Sequence, residues 1–186
     1  YYDAVISNYF NKFNNINFPK RKILYTNLVE NLRYGENPHQ TGAFYSQNIK
    51  NKLYQIHGKN LSYNNYSDIF AALTISKSLP KNIGTVIVKH GNPCGVSALK
   101  NNLDSYKSAL ESDPISAFGG IISCNYRITQ KLALILNKIF LEVIVADGFE
   151  KKALKILKSK KNLRLIDSSK ITFNEIWKFN SVDNFT

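Results

Sequence analysis

The sequence has 186 residues, 44% of them hydrophobic and 12% aromatic, with a formal net charge of +12. That is enough apolar material for one or two buried cores, and it excludes an intrinsically disordered chain. No apolar run is long enough to cross a bilayer, and the N-terminal YYDAVISNYF lacks the basic region, apolar core and cleavage site of a secretory signal, so a soluble, cytoplasmic protein is expected.

Residues 1 to 12 have helical spacing, with Val5, Ile6, Tyr9 and Phe10 on one side, and NKFNNINFPKRK reads as a polar connector. Residues 1–21 are therefore expected to be the end of a preceding domain and its linker. KILYTNLVENL and GAFYSQ read as strands separated by the turn-like RYGENPHQ. From Ser67 the pattern turns helical, carried by Ile69, Phe70, Leu73 and Ile75, and Pro80 ends it. TVIVKH is then a short β-branched strand, SYKSALES a helix and GGIISC a second strand. ITQKLALILNKIF is a helix with Thr129 near its start, EVIVAD a third strand and EKKALKILKSKK a last helix before LRLID. Short, nearly continuous apolar strands separated by helices predict an α/β layer: a largely parallel sheet with helices on both faces. In such sheets ligands gather outside the carboxyl ends of the strands, where Lys89 and His90, the residues around SAFGG, and Glu142 are expected to lie.

Much of the excess charge sits in KKALKILKSKKNLR, where Ala153, Leu154 and Leu157 form an apolar helical face and the lysines form a solvated one. No RGG, zinc-finger or RNP-type motif accompanies it, so no nucleic-acid partner is expected, and a basic surface equally suits a small anionic substrate. The only two cysteines, Cys94 and Cys124, suggest a reducing compartment rather than a disulfide framework. Methionine is absent, so the sequence carries no initiator and is expected to belong to a longer product.

The chemistry-bearing segment is KHGNPCG. A strand ends there on Lys89 and His90, Asn92 is pushed towards extended geometry by Pro93, and Gly91 and Gly95 permit unusual backbone angles or close approaches. A lysine cation beside a histidine favours the neutral imidazole, which can take a proton while the ammonium stabilises developing negative charge. The ordinary alternative is a solvent-facing lysine and a histidine bonded to a backbone carbonyl. Zinc-deaminase chemistry, which PCG invites, needs a PCxxC pair and an HxE element; Ser97 stands where the second cysteine would fall, and no histidine is followed at the second position by glutamate. No metal is therefore expected. Cys94 in a tight turn is more often structural than nucleophilic.

Four further segments offer binding groups. In LRYGENPHQ, Arg33 has the fork suited to phosphate, and Tyr34 can stack on or hydrogen-bond to a planar ligand. GKNLSYNNYSD presents asparagines, Asn65 among them, near a helix start, where they contact a ligand or cap the helix. DPISAFGGI pairs Phe118 with Gly119 and Gly120, as suits close backbone approach to a flat ring, and Glu142 at the opening of EVIVAD could bind ribose hydroxyls. Taken singly, each segment also reads as an ordinary turn, cap or strand end.

In their order, LRYGENPHQ, GKNLSYNN, VKHGNPCG, DPISAFGGI and EVIVADGFEKKAL resemble the AICAR transformylase domain of the bifunctional enzymes that join this activity to IMP cyclohydrolase. The resemblance runs from about residue 22 to the end, while YYDAVISNYF is similar to the last helix of the preceding cyclohydrolase domain. It implies a cytidine-deaminase-like fold in residues 22–186, the first of two such subdomains, with the second absent. It also implies formyl transfer from 10-formyltetrahydrofolate to the 5-amino group of AICAR, in a homodimer with shared sites. In that family His90 corresponds to the proton acceptor and Lys89 to the stabiliser of the transition state; Arg33, Tyr34, Asn65, Phe118, Gly119 and Glu142 correspond to nucleotide contacts, and most folate contacts belong to the missing subdomain. The rival expectations are a basic nucleic-acid-binding module and a truncated, non-catalytic paralogue.

Overall fold

A computed structural model describes residues 1–46 and 53–171, which divide into two compact units. The first comprises Tyr1–Lys52 and Leu61–Asn64, the second Leu53–Asn60 and Asn65–Thr186. Among the described residues, no helix is long and apolar enough to cross a membrane.

In the first unit, helix α1 (Tyr2–Phe13) covers the segment of helical spacing, and strands β1 (Asn27–Leu32) and β2 (Gly42–Ser46) pair antiparallel. The predicted second strand reaches Gln47, which lies outside the described residues. RYGENPHQ is the turn between the strands. Gly35 N–H donates to the Gln40 carbonyl at 2.8 Å, and Asn37 N–H donates to Gln40 Oε1 at 2.8 Å.

The second unit is built on a six-stranded sheet. Its strands are β3 (Tyr54–His57), β4 (Gly84–Lys89), β5 (Asn92–Ala98), β6 (Ile121–Cys124), β7 (Val143–Ala146) and β8 (Arg164–Asp167), in the spatial order β3-β8-β7-β6-β4-β5. Only β6, β7 and β8 run parallel to one another; β3, β4 and β5 each pair antiparallel. The sheet is therefore mixed rather than largely parallel. The physical reason lies in the connections. β4 returns through a two-residue turn into β5, so those two strands must oppose each other, whereas β6 to β7 and β7 to β8 are joined through helices α5 (Gln130–Leu136) and α6 (Lys151–Leu157).

Strand register sorts the side chains onto two faces. Ile87, Ile122, Ile144 and Leu165 share one rung, and the offset rung is Val86, Ser123, Val145 and Ile166. The first set packs into a continuous core with Tyr106 and Ala109 of α3 (Asn102–Ser112), Ala117 of α4 (Pro114–Ala117), Leu132 and Leu136 of α5, and Ala153 and Leu157 of α6. The opposite face receives α2 (Tyr63–Ser78), whose Ser76 hydroxyl meets that of Ser123 at 2.7 Å. With both faces covered, β6 and β7 are buried at every residue, which accounts for their unbroken apolar reading. The α6 lysines Lys151, Lys152 and Lys155 are exposed, as a solvated face requires.

Buried polar groups fasten the connections. Asn125 Oδ1 accepts from Gly84 N–H at 2.8 Å, while its Nδ2 donates to the carbonyls of Ser76, Leu79 and Pro80 at 2.8, 3.3 and 3.0 Å. One side chain thus ties the end of α2 to the start of β4 and satisfies backbone groups that burial would otherwise penalise. Thr129 caps α5, its hydroxyl accepting from Leu132 N–H at 3.4 Å.

Candidate active site

KHGNPCG is not a loop. β4 ends at Lys89, His90 and Gly91 form the turn, and NPCGVSA continues as strand β5, with Lys89 paired to Asn92. The turn residues have φ of +53° at His90 and +74° at Gly91. Positive φ at both central positions is the geometry that matches the twist of the flanking strands in a two-residue hairpin. Register jumps from Ile87↔Gly95 to Val88↔Pro93, leaving Cys94 as an unpaired bulge residue. The two glycines act as expected, by different means. Gly91 has open space around it and is required for its φ, whereas Gly95 lets β5 lie directly against α3. The neighbour at the close approach is helix backbone.

Alternation places Lys89 on the same face as Ile87, and there its ammonium donates to the Phe118 carbonyl at 2.8 Å. His90, one residue on, is exposed at the tip, and no hydrogen bond to its imidazole is made among the described residues. The amides behind it are held: Asp68 of α2 accepts from His90 N–H at 3.2 Å and from Gly91 N–H at 2.6 Å. The basic pair is thus anchored to elements on opposite faces of the sheet.

Because β4 runs against β6, its carboxyl end lies beside the amino ends of β6 and β7. SAFGG and Glu142 therefore stand at the starts of parallel strands, not at their carboxyl ends, and the antiparallel pairing is what brings Lys89 to this rim. Phe118 is 58% exposed and packs on Phe140 with ring centroids 5.4 Å apart, an open aromatic surface beside the lysine. Gly119, at φ +76°, donates its N–H to the Phe140 carbonyl at 2.9 Å. A Cβ at Gly120 would stand 2.9 Å from the Val88 carbonyl oxygen, so glycine keeps this segment tight against β4. Asn65 is buried in the first turn of α2 and its Nδ2 donates to Glu142 Oε2 at 2.8 Å. Arg164 Nη1 lies 3.9 Å from the same carboxylate oxygen.

Six of the eight candidate residues, Lys89, His90, Asn65, Phe118, Gly119 and Glu142, thus belong to the second unit. Arg33 and Tyr34 belong to the first, where the Arg33 guanidinium lies 5.9 Å from the Tyr34 ring centroid. Three rim residues carry roles the sequence did not suggest. Asp68 follows Asn65 by three positions and so shares its helix face, a spacing that could have flagged it. Asp113 precedes Pro114 in an N-cap pattern, and its Oδ1 accepts from Ser116 N–H at 2.9 Å. Phe140 had no local signal.

The Ser116 hydrogen bonds, with a smaller contribution from Lys89, hold the Asp113 carboxyl below its usual range. Burial pushes the Cys94 thiol up, and Asp113 adds to this against the opposing pull of Lys89. Cys94 is therefore a neutral thiol near pH 7 and poorly suited to attack as a nucleophile. The fully buried Cys124 is pushed up to about 12, chiefly by desolvation. At pH 8 Cys94 is expected to react with a thiol reagent more slowly than free cysteine, and Cys124 only on unfolding; labelling with and without urea measures both. Rapid labelling of native Cys94 would contradict the burial argument.

A family described as the AICARFT/IMPCHase bienzyme matches residues 1–184. The chain belongs to the AICARFT/IMPCHase bienzyme family. The bifunctional purine biosynthesis protein PurH of Thermoanaerobacter sp. is 46% identical over 169 residues, covering 89% of this chain and 33% of that protein. PurH of Oceanobacillus iheyensis is 43% identical over 171 residues and PurH of Bacillus cereus 46% over 170, each covering 89% of this chain and 33% of the relative. The chain spans about a third of the length of these relatives.

Proposed function

We propose that the chain contributes the first, cytidine-deaminase-like subdomain of an AICAR transformylase, part of a cytoplasmic homodimer that also carries IMP cyclohydrolase. The substrate amine is conjugated with its imidazole ring and carboxamide and is a poor nucleophile, so the site must take its proton as the new C–N bond forms. His90 accepts that proton. Lys89 directs its ammonium at the oxygen of the formyl group, where negative charge develops as the carbon becomes tetrahedral. The folate co-substrate supplies the formyl group, and its nitrogen leaves with a proton returned by the site. Phe118 and Phe140 offer a ring face, Gly119 permits close backbone approach and the Asn65–Glu142 pair offers groups for ribose hydroxyls; Arg33 and Tyr34, in the first unit, are assigned to the nucleotide by the family resemblance alone.

The observation carrying this reading is the rim itself: an exposed imidazole on a turn held from one face, next to an ammonium held from the other, beside an open aromatic pair. The test is formyl transfer to AICAR by the complete bifunctional protein and by the 186-residue chain alone. Turnover is expected in the first and next to none in the second, because the remaining folate and nucleotide contacts belong to the second subdomain. Absence of turnover in the complete protein overturns the reading, the more so if the chain shows steeply salt-dependent RNA binding without affinity for AICAR. Comparable turnover by the isolated chain overturns the need for a second subdomain.

A further inference from the structure

We infer that Asp68 is a positioning residue that clamps the turn carrying His90 and so sets where the imidazole stands; the inference rests on the reading of His90 as proton acceptor. The strands of the hairpin are registered by their own ladder, and Gly95 seats β5 on α3. At the tip, Asn92 Nδ2 donates to the His90 carbonyl at 2.9 Å, which leaves the two tip N–H groups to be held from outside the hairpin. His90 holds a left-handed backbone, φ +53°, that non-glycine residues adopt at a cost. Both tip residues are exposed, yet their N–H groups do not face solvent alone: a single carboxylate accepts them at 3.2 and 2.6 Å. Hydrogen bonds to an ionised acceptor are stronger and more directional than those between neutral groups. Among the described residues no cation pairs with Asp68, which leaves its carboxylate to the two amides.

The clamp also fixes a distance across the site. Asn65 and Asp68, one helical turn apart on α2, bind Glu142 and the hairpin tip respectively. One rigid helix thereby spaces the ribose-binding edge from the proton acceptor, and a shift of about 1 Å in such a geometry can cost about a hundredfold in rate.

The experiment compares Asp68→Ala and Asp68→Asn with His90→Asn in the complete protein, reading kcat and KM for AICAR together with amide hydrogen exchange at His90 and Gly91. Asp68→Ala is expected to lower kcat by about 10- to 100-fold, with KM changed less than about twofold. Asp68→Asn, which keeps one acceptor oxygen, should fall between it and the parent. In the His90→Asn background, Asp68→Ala should change kcat less than about twofold, since the group being positioned is gone. Exchange at the two tip amides should be slowed in the parent and faster in Asp68→Ala, with β4 amides unaffected. Normal kcat in both Asp68 variants alongside an impaired His90→Asn overturns the inference and leaves the function standing. So does an equal loss of kcat with or without His90, which would mark a general structural role. If His90→Asn turns over normally, the proton-acceptor reading is what fails. Unprotected tip amides in the parent overturn the clamp whatever the variants do, including the case in which Asp68→Ala does not fold.

Discussion

His90→Asn is expected to lower formyl transfer by the complete protein by about 10²- to 10⁴-fold, the range general acid–base catalysis contributes, with the melting temperature almost unchanged. Asparagine is the appropriate replacement because of the backbone. At φ +53° most side chains are strained, whereas asparagine is among the residues that most readily take this conformation and is the common partner of a following glycine in such a turn. It keeps the hairpin and both amides that Asp68 holds, and it removes the ring nitrogen that would accept the proton. Alanine would mix two effects, since it lacks the polar side chain that makes histidine and asparagine more tolerant of this left-handed backbone. Steady-state turnover with a parallel thermal melt checks the prediction. Near-normal turnover in a folded His90→Asn protein would remove the imidazole from the mechanism.

Gly95→Ala should destabilise the fold by about 3 kcal/mol or more, at or above the top of the range usual for overpacking that forces backbone to move. A Cβ built at Gly95 stands 1.8 Å from the Ala109 carbonyl oxygen and 2.7 Å from its carbonyl carbon. Neither is the end of a flexible side chain, so relief requires β5 to lift from α3, whose Tyr106 and Ala109 belong to the core. Gly91→Ala is the matched control. Nothing lies within 4 Å of its added Cβ, and only the φ of +74° opposes it, so about 1–2 kcal/mol is expected. Urea midpoints for the two variants give the comparison directly. Equal losses would mean that strand and helix separate more easily than the close approach implies.

Between them these glycines show what local sequence can and cannot convey. That GNPCG needed special backbone was legible from composition, because Gly, Asn and Pro restrict or free φ wherever they stand. Which glycine served a turn and which a packing contact was not, since Ala109 approaches Gly95 only after α3 folds back over the hairpin. β5 itself went unseen because Pro93, the Cys94 bulge and Gly95 interrupt the alternation that marks a strand, a pattern tolerated at a sheet edge. β3, short and also at an edge, gave no sequence signal either.

By itself the sequence determined the apolar strands TVIVK, GIISC and EVIVA, the helices around them with the Thr129 cap, and the residue types able to move a proton or stabilise an anion, because burial on both faces and capping chemistry act within a few residues. The tertiary structure alone decided strand direction, and with it the site. A strand's composition is indifferent to whether its neighbour runs parallel or antiparallel, yet the antiparallel β4 is what sets Lys89 beside Phe118 and lets Asp68, 22 residues before His90, reach the turn.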